Sequence, residues 1–249
     1  MSVAEAGVFA EYSVLWYDSN KSGFAEVNNL KISVNGIEMY YEKTGEGRPL
    51  VLVHGNGVDH KTFQNSIELL NKHFTVYAVD SRGHGQSSKV GELHYTDMAD
   101  DMTAFMEQLD LKDVVYFGHS DGAIIGLLAA MRTDRIGLLL AGGANMTPKG
   151  AAAWIRTILK VIYAVKKSPQ LRLMLMEPNI TPEELGTICT PTVVIAGSKD
   201  IILEKETKCI SASIPGAKLR IIEGAGHTSY VTAKGQLAKL ILEEAGDPI

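Results

Sequence analysis

VVYFGHSDGAIIGLLAAM (Val114–Met131) joins two apolar runs through a turn in which two glycines flank a serine and an aspartate. The first run is β-branched and aromatic, which favours a buried strand, and the second is typical of a buried helix. A nucleophile at a sharp strand-to-helix turn needs small residues two positions before and after it, because the strained backbone crowds them. Gly118 and Gly122 meet this need for Ser120 and not for Asp121, so Ser120 is predicted to be the nucleophile.

The rest of the chain alternates short apolar runs with helical patterns. Asn35-Gly36 lies between two strand patterns and is a strong hairpin signal. A helix is expected over Tyr95–Asp110, with Thr96 as its cap. The remaining strand patterns are apolar almost throughout, as in a parallel sheet that helices cover on both faces. They are PLVLVHG, TVYAVD, VVYFGHS, LLLAGGAN, TVVIAGSKD and KLRIIEGAGH. The alternation predicts an α/β fold.

Composition limits the partners that we expect. Of 249 residues, 45% are apolar and 21% charged, which is enough for a sizeable core. The net charge of -5 gives no reason to expect nucleic acid or an anionic membrane, since both attract basic surfaces. Cys189 and Cys209 form neither a disulfide framework nor a metal-ligand cluster. Because the N-terminus is acidic where a signal peptide is basic, we expect a cytoplasmic protein.

One segment interrupts the alternation of strands and helices. Residues 147–180 contain two successive helical patterns, and Ser168-Pro169 starts the second. We expect a small lid here, on a core formed by residues 30–146 and 181–249. Residues 1–29 are an N-terminal extension whose role stays open. The lid has six basic residues and one acid, which fits an anionic substrate or a solvated helix face. These residues are Lys149, Arg156, Lys160, Lys166, Lys167, Arg172 and Glu177.

A serine nucleophile needs a histidine base and an acid that orients the histidine. His227 follows the last strand pattern on a glycine-rich loop, at the sheet edge where open α/β sheets bind ligands. His119 adjoins the serine, but we expect its side chain to leave the turn on another side. The acid should also follow a late strand, where Asp200 is a carboxylate and Asn145 is not. The chain order Ser120, Asp200, His227 differs from that of trypsin-like and subtilisin-like proteases.

GNGVDHKT (Gly55–Thr62) nearly matches the phosphate-binding loop GxxxxGK[ST]. His60 stands where the second glycine belongs, and that glycine lets backbone amides close around a phosphate. The loop is therefore not predicted to bind a nucleotide.

The motifs as a set resemble the α/β-hydrolase superfamily from about residue 30 to about residue 245. They are VLVHGNG, DSRGHGQS, GHSDG, GSKD and GAGH, in the family's order and spacing. The resemblance implies a mostly parallel sheet of eight strands with an antiparallel second strand, helices on both faces and a short helical lid. It also implies that Ser120, Asp200 and His227 are the catalytic triad. The backbone N–H groups of Asn56 and Asp121 are implied to form the oxyanion hole.

These roles describe a serine hydrolase that acts on carboxylic esters through an acyl-enzyme, without a metal or an organic cofactor. The short lid favours a small-molecule ester with a small or medium acyl group. We expect substrate contacts from four residues, namely His54, Gly55, Trp154 and Ile158. An acid at Asp121 would oppose a developing oxyanion, so we expect its side chain to point away from the site.

Two kinds of alternative stay open. The same scaffold supports lactone and thioester hydrolysis, cleavage of carbon–carbon bonds and cofactor-free perhydrolysis, and one sequence does not reveal the pocket residues that separate them. A ligand-binding or receptor-type protein on a hydrolase scaffold would keep the triad, turn over little and present an apolar lid surface to a partner. A serine instead of an aspartate at the turn disfavours a haloalkane dehalogenase.

Overall fold

One sheet runs through the part of the chain that the computed structural model describes, residues 12–14 and 27–246. Its strands are β1 (Tyr12–Val14), β2 (Val27–Val34), β3 (Ile37–Thr44), β4 (Arg48–Val53), β5 (Phe74–Val79), β6 (Val114–His119), β7 (Ile136–Gly142), β8 (Thr192–Lys199) and β9 (Lys218–Gly226). They lie in the order β1-β2-β3-β5-β4-β6-β7-β8-β9. β3 is antiparallel to both neighbours, and β4 to β9 pair in parallel. The eight strands from β2 to β9 confirm the predicted sheet, and β1 adds a ninth from the N-terminal extension.

Helices cover both faces of this sheet. Along β4, Leu50 and Leu52 belong to one apolar cluster and Val51 and Val53 to another, because alternate strand residues point to opposite faces. The helices are α1 (Gln64–Leu70), α2 (Tyr95–Gln108), α3 (Asp121–Ala130), α4 (Ala153–Lys166), α5 (Pro169–Met176), α6 (Pro182–Leu185), α7 (Glu204–Ser213), α8 (Ser229–Thr232) and α9 (Gln236–Ala245). α2 and α3 pack in the Val51 cluster and α9 in the Leu50 cluster, so the predicted α/β fold is confirmed. Among the described residues, no helix has both the length and the apolar character needed to cross a membrane.

The hairpin and the first long helix follow the sequence patterns, apart from the helix cap. Asn35 and Gly36 join β2 to β3 with φ values of 44° and 79°, as a two-residue hairpin turn requires. Thr96 is not the cap of α2, because the helix already begins at Tyr95. The carboxylate of Glu177 accepts a hydrogen bond from the Tyr95 backbone N–H at 3.1 Å instead, which places a negative charge at the positive end of the helix.

Residues 147–180 fold into two consecutive helices, as predicted. α5 begins at Pro169, and the Ser168 hydroxyl accepts a hydrogen bond from the Leu171 backbone N–H at 3.3 Å. Leu173 of α5 is buried, whereas no residue of α4 is buried. The first helix of this segment therefore lies at the surface.

The turn between β6 and α3 is strained and tightly packed. Ser120 has φ 54° and ψ -113°, a conformation that non-glycine residues rarely adopt. A β-carbon on Gly118 would lie 2.1 Å from the Gly122 carbonyl oxygen. One on Gly122 would lie 2.0 Å from the carbonyl oxygen of Val53 in the neighbouring strand β4. These contacts are the physical reason for the glycines on either side of the serine.

Replacing Gly122 by alanine tests this packing. We expect Gly122→Ala to lower the free energy of unfolding by about 1–3 kcal/mol or more, as overpacking does, because the clashing atom belongs to a central strand. Urea denaturation measures the change. Gly91→Ala is the matched control, since an added β-carbon there meets nothing within 4 Å. Equal losses in the two variants would contradict the close approach of α3 to β4.

His60 ties the loop after β4 to the turn after β5. Its Nδ1 lies 2.8 Å from Asp80 Oδ1, and its Nε2 lies 3.1 Å from Glu42 Oε1. Asp80 also accepts hydrogen bonds from the backbone N–H groups of His60 and Gln86. Burial alone would lower the pKa of His60, but the carboxylates of Asp80 and Glu42 raise it to about 9. A buried, charged histidine thus replaces the glycine that a phosphate-binding loop would have here.

The raised pKa of His60 makes stability depend on pH. The folded state binds this proton more tightly than an unfolded chain, whose histidine pKa is about 6.5. The stabilisation that protonated His60 supplies is therefore fully present below pH 6.5 and is lost as pH rises through about 9. In the wild type, release of this proton should lower the free energy of unfolding by on the order of 3 kcal/mol between about pH 6.5 and pH 9, and His60→Gln should remove that decrease. Urea denaturation at several pH values measures both profiles.

An exposed histidine supplies the control for that profile. His73→Gln should leave the wild-type shape intact, since His73 lies at the surface. If His60→Gln retains the wild-type loss of stability above pH 7, the ion pairs of His60 do not cause it.

Candidate active site

Three predicted side chains meet at the carboxyl ends of parallel strands. Ser120 follows β6, Asp200 follows β8 and His227 follows β9. His227 Nε2 lies 3.0 Å from Ser120 Oγ, and His227 Nδ1 lies 2.7 Å from Asp200 Oδ1. The structure thus joins them in one hydrogen-bonded chain, with the imidazole between the hydroxyl and the carboxylate.

Burial differs along this chain. The Asp200 side chain is 2% exposed, whereas Ser120 and His227 are partly accessible. Burial alone would raise the pKa of Asp200, but hydrogen bonds from His227 and from the backbone N–H groups of Ile202 and Gly197 hold it below its ordinary value. Asp200 is therefore a carboxylate that accepts the Nδ1 proton of His227. The lone pair on Nε2 then faces the serine hydroxyl.

Backbone N–H groups border the nucleophile on two sides. Asp121 is the first residue of α3, so its N–H has no acceptor within the helix and lies at the positive end of the helix dipole. Asn56 follows Gly55, and a β-carbon on Gly55 would lie 3.1 Å from the Ser120 β-carbon. The β4 loop and the start of α3 therefore both approach the serine closely enough to present donors beside it.

The Asp121 side chain is buried in a polar network. Its Oδ2 accepts a hydrogen bond from Asn56 Nδ2 at 2.8 Å, and the Tyr95 hydroxyl also donates to the carboxylate. Burial raises the pKa of Asp121 although both hydrogen bonds lower it. The carboxylate is thus coupled to the side chain of the other predicted oxyanion residue, a link that the sequence did not suggest.

α5 reaches the site through Gln170, which the sequence analysis missed. The Gln170 backbone oxygen accepts a hydrogen bond from Asn56 Nδ2 at 3.3 Å. Its side-chain Nε2 donates to the Gly83 carbonyl oxygen at 3.1 Å. The second helix of the 147–180 segment is therefore tied both to the β4 loop and to the turn after β5. The sequence contained no signal for this contact, because it depends on how the segment folds back.

His119 contacts the loop of His227 and not the serine hydroxyl, and the sequence analysis did not foresee this contact. Its Nε2 donates to the His227 backbone oxygen at 2.8 Å, and the two rings lie 4.9 Å apart. Burial first, and then the nearby His227, lower the pKa of His119 to about 4. A neutral His119 therefore supports the loop that carries His227.

The four predicted substrate contacts lie in different surroundings. His54 is 1% exposed and uses both ring nitrogens on backbone groups, 2.7 Å from the Gly55 oxygen and 3.1 Å from the Ser81 nitrogen. Trp154 and Ile158 lie on the outer side of α4, 59% and 47% exposed, because this helix packs through its other side. Gly55 alone lies beside Ser120.

No described feature holds a metal at this site. Within residues 12–14 and 27–246, no group of three or more His, Cys, Asp or Glu side chains is arranged to bind a metal ion. Two surface grooves of about 650 and 430 Å³ are lined by other parts of the chain, and neither contains a triad residue. The chemistry available at the site is that of a hydroxyl, an imidazole, a carboxylate and backbone donors.

Comparisons with known proteins agree with the fold. A family model described as "alpha/beta hydrolase fold" matches residues 48–161. The AB hydrolase superfamily protein YisY of Bacillus subtilis (strain 168) is 26% identical, over 83% of this chain and 95% of that protein. The serine hydrolase BPHL of Homo sapiens is 26% identical, over 86% of this chain and 85% of that protein. The enol-lactonase from Burkholderia xenovorans LB400 superposes with a TM-score of 0.73 at 21% identity, over 88% of this chain and 100% of that one. These matches show that the chain has the α/β-hydrolase fold and is similar to proteins of the α/β-hydrolase superfamily.

Proposed function

We propose that this protein is a serine hydrolase that cleaves carboxylic esters through an acyl-enzyme. The observation that supports the proposal most strongly is the hydrogen-bonded chain from Asp200 through His227 to Ser120, at a turn whose backbone is strained for the serine. The similarity to a human protein named as a serine hydrolase supports it as well.

The first half-reaction acylates the serine. His227 Nε2 takes the hydroxyl proton while Ser120 Oγ bonds to the ester carbonyl carbon. The carbonyl π electrons move onto its oxygen, which accepts hydrogen bonds from the backbone N–H groups of Asn56 and Asp121. Each such donor contributes about 3 kcal/mol in comparable enzymes. When the carbonyl re-forms, the bond to the alcohol oxygen breaks and His227 returns the proton to that alcohol.

The second half-reaction releases the acid. His227 takes a proton from water as the water oxygen attacks the acyl carbon, and the proton passes to Ser120 Oγ when the acyl–serine bond breaks. Asp200 keeps the imidazole in the tautomer that can accept at Nε2 and stabilises the imidazolium. All atoms and charges balance without a metal or an organic cofactor.

The proposed substrate is a small or medium acyl ester, and residues 147–180 are the proposed lid. Gln170 in α5 lies over the β4 loop, so this segment limits the space above Ser120 from one side. A lactone is a cyclic ester that enters the same first step, and it belongs in the same substrate panel.

Removal of the nucleophile tests the proposal. Ser120→Ala should lower the turnover of p-nitrophenyl esters by at least about 10³-fold, because loss of a triad member leaves only oxyanion stabilisation and binding. The same substitution should abolish labelling by a fluorophosphonate. Ser213→Ala, in the surface helix α7, is the matched control and should retain both.

Other results would reject the proposal or its substrate class. Persistent labelling of Ser120→Ala would reject the nucleophile. Labelling of the wild type without turnover of any ester, lactone or thioester would reject ester hydrolysis and favour the receptor-type alternative.

A pair of substitutions separates the charge of Asp121 from its hydrogen bonds. An amide at this position can still accept from Asn56 and donate to Tyr95, so Asp121→Asn should change kcat/KM by less than about 3-fold. Asp121→Ala leaves both partners unpaired in a buried site, which costs about 1–3 kcal/mol, and should lower kcat/KM about 10-fold or more. Steady-state kinetics with one p-nitrophenyl ester measures both. A large rate gain in Asp121→Asn would show that the carboxylate opposes the oxyanion.

A further inference from the structure

The outer side of α4 exposes an unusual amount of apolar surface. Five of its side chains are between 37% and 83% exposed, and the helix contains no buried residue. At 100° per residue, all five fall within one third of the helix circumference. They are Trp154, Ile158, Val161, Ile162 and Val165. We refer to these five residues as the outer face of α4.

The fold does not explain this surface. Ile155 and Leu159 project about 75° and 115° from the centre of the outer face and are half-buried, so they already supply contact between α4 and the rest of the protein. A helix that only covered a core would be polar where it meets water. The outer face thus carries apolar side chains that nothing in the described part of the chain covers.

The charge around the outer face is one-sided. Residues 147–176 contain six Lys and Arg residues and no Asp or Glu, in a chain whose net charge is -5. By helix geometry Lys166 projects about 95° from the centre of the outer face, and Lys160 projects about 145° from it in the other direction. An apolar helix face in a basic surrounding is the arrangement of helices that lie in the headgroup region of a membrane.

A basic groove lies on the other side of α4. It has a volume of about 430 Å³ and is lined by Lys149, Arg156 and Lys160, with Met176 and Asn179 of the following segment. By helix geometry Arg156 projects about 175° from the centre of the outer face. The groove therefore adds to the positive charge of this segment but is not part of the outer face.

We propose that α4 binds the surface of an anionic phospholipid bilayer. The outer face enters the boundary between headgroups and acyl chains, and the positive charge of residues 147–176 attracts the anionic headgroups. This charge favours an anionic lipid over a second copy of the chain, since a dimer through the outer face would bring two segments with six positive charges each close together. The expectation of no membrane partner rested on the net charge of the whole chain, which hides the opposite sign of this segment.

Trp154 reports on the proposed contact directly. The chain has two tryptophans, so a Trp16→Phe variant leaves Trp154 as the single indole. Its emission should shift to shorter wavelength, and the protein should co-sediment, with vesicles of phosphatidylglycerol and phosphatidylcholine. Vesicles of phosphatidylcholine alone should produce much weaker effects, and added salt should weaken binding to the anionic vesicles.

Surface substitutions separate the apolar contact from the electrostatic attraction. Val161→Glu with Val165→Glu should abolish co-sedimentation, because it places charges in the outer face. Lys166→Gln with Lys167→Gln, at two exposed residues at the end of α4, should weaken binding to anionic vesicles by about 5-fold for each residue. Leu219→Glu, at a 40% exposed leucine in β9, is the matched control and should bind like the wild type.

Three outcomes would overturn the proposal. These are no preference for anionic vesicles, equal binding by the wild type and Val161→Glu/Val165→Glu, or a wild-type dimer that this double substitution dissociates while vesicles bind neither protein. Ser120→Ala should bind vesicles like the wild type, so failure of lipid binding and failure of the hydrolase proposal are distinguishable.

Discussion

The close approach of α3 to strand β4 is the constraint on which the candidate site depends. Only a residue without a side chain fits where Gly122 meets the Val53 carbonyl oxygen, and that contact forces the chain to turn at Ser120 with a positive φ. The same turn directs the first N–H of α3 and the loop at Gly55 toward the serine. Ser120, the first N–H group of α3 and the loop at Gly55 thus lie close together, because the backbones of α3 and β4 pack without a side chain between them.

Histidines around this turn have different properties because their partners differ. His54 and His119 hydrogen-bond to backbone groups, and burial holds the pKa of each at about 4. His60 lies between two carboxylates, which raise its pKa to about 9. His227 alone contacts one carboxylate and one hydroxyl. The residue type alone does not decide the chemistry, and the distinct environment of His227 supports its proposed role as the base.

Sequence analysis predicted the residues that follow parallel strands, but it did not predict contacts that form where a loop folds back. Ser120, Asp200 and His227 each follow a parallel strand, and such ends converge at one edge of the sheet, so their meeting could be foreseen. The contact of His119 was not foreseen because its partner is a backbone oxygen 108 positions away in the sequence. The exposure of Trp154 was not foreseen because α4 is apolar over more than half of its circumference, and the apolar pattern alone does not tell which part packs against the protein.

The proposed lid, residues 147–180, connects the proposed lipid-binding helix to the proposed catalytic donors. α4 and α5 are consecutive and pack against each other, and α5 contacts Asn56 and Gly83 through Gln170. At its far end Glu177 binds the start of α2, next to Tyr95, whose hydroxyl donates to Asp121. We therefore expect a shift of α4 at a lipid surface to reach, through α5, the side chains that contact Asn56 and Asp121, the two residues proposed for the oxyanion hole. Because these links are hydrogen bonds between buried or half-buried groups, breaking them without replacement is unfavourable, and the segment is expected to move with the β4 loop as a unit.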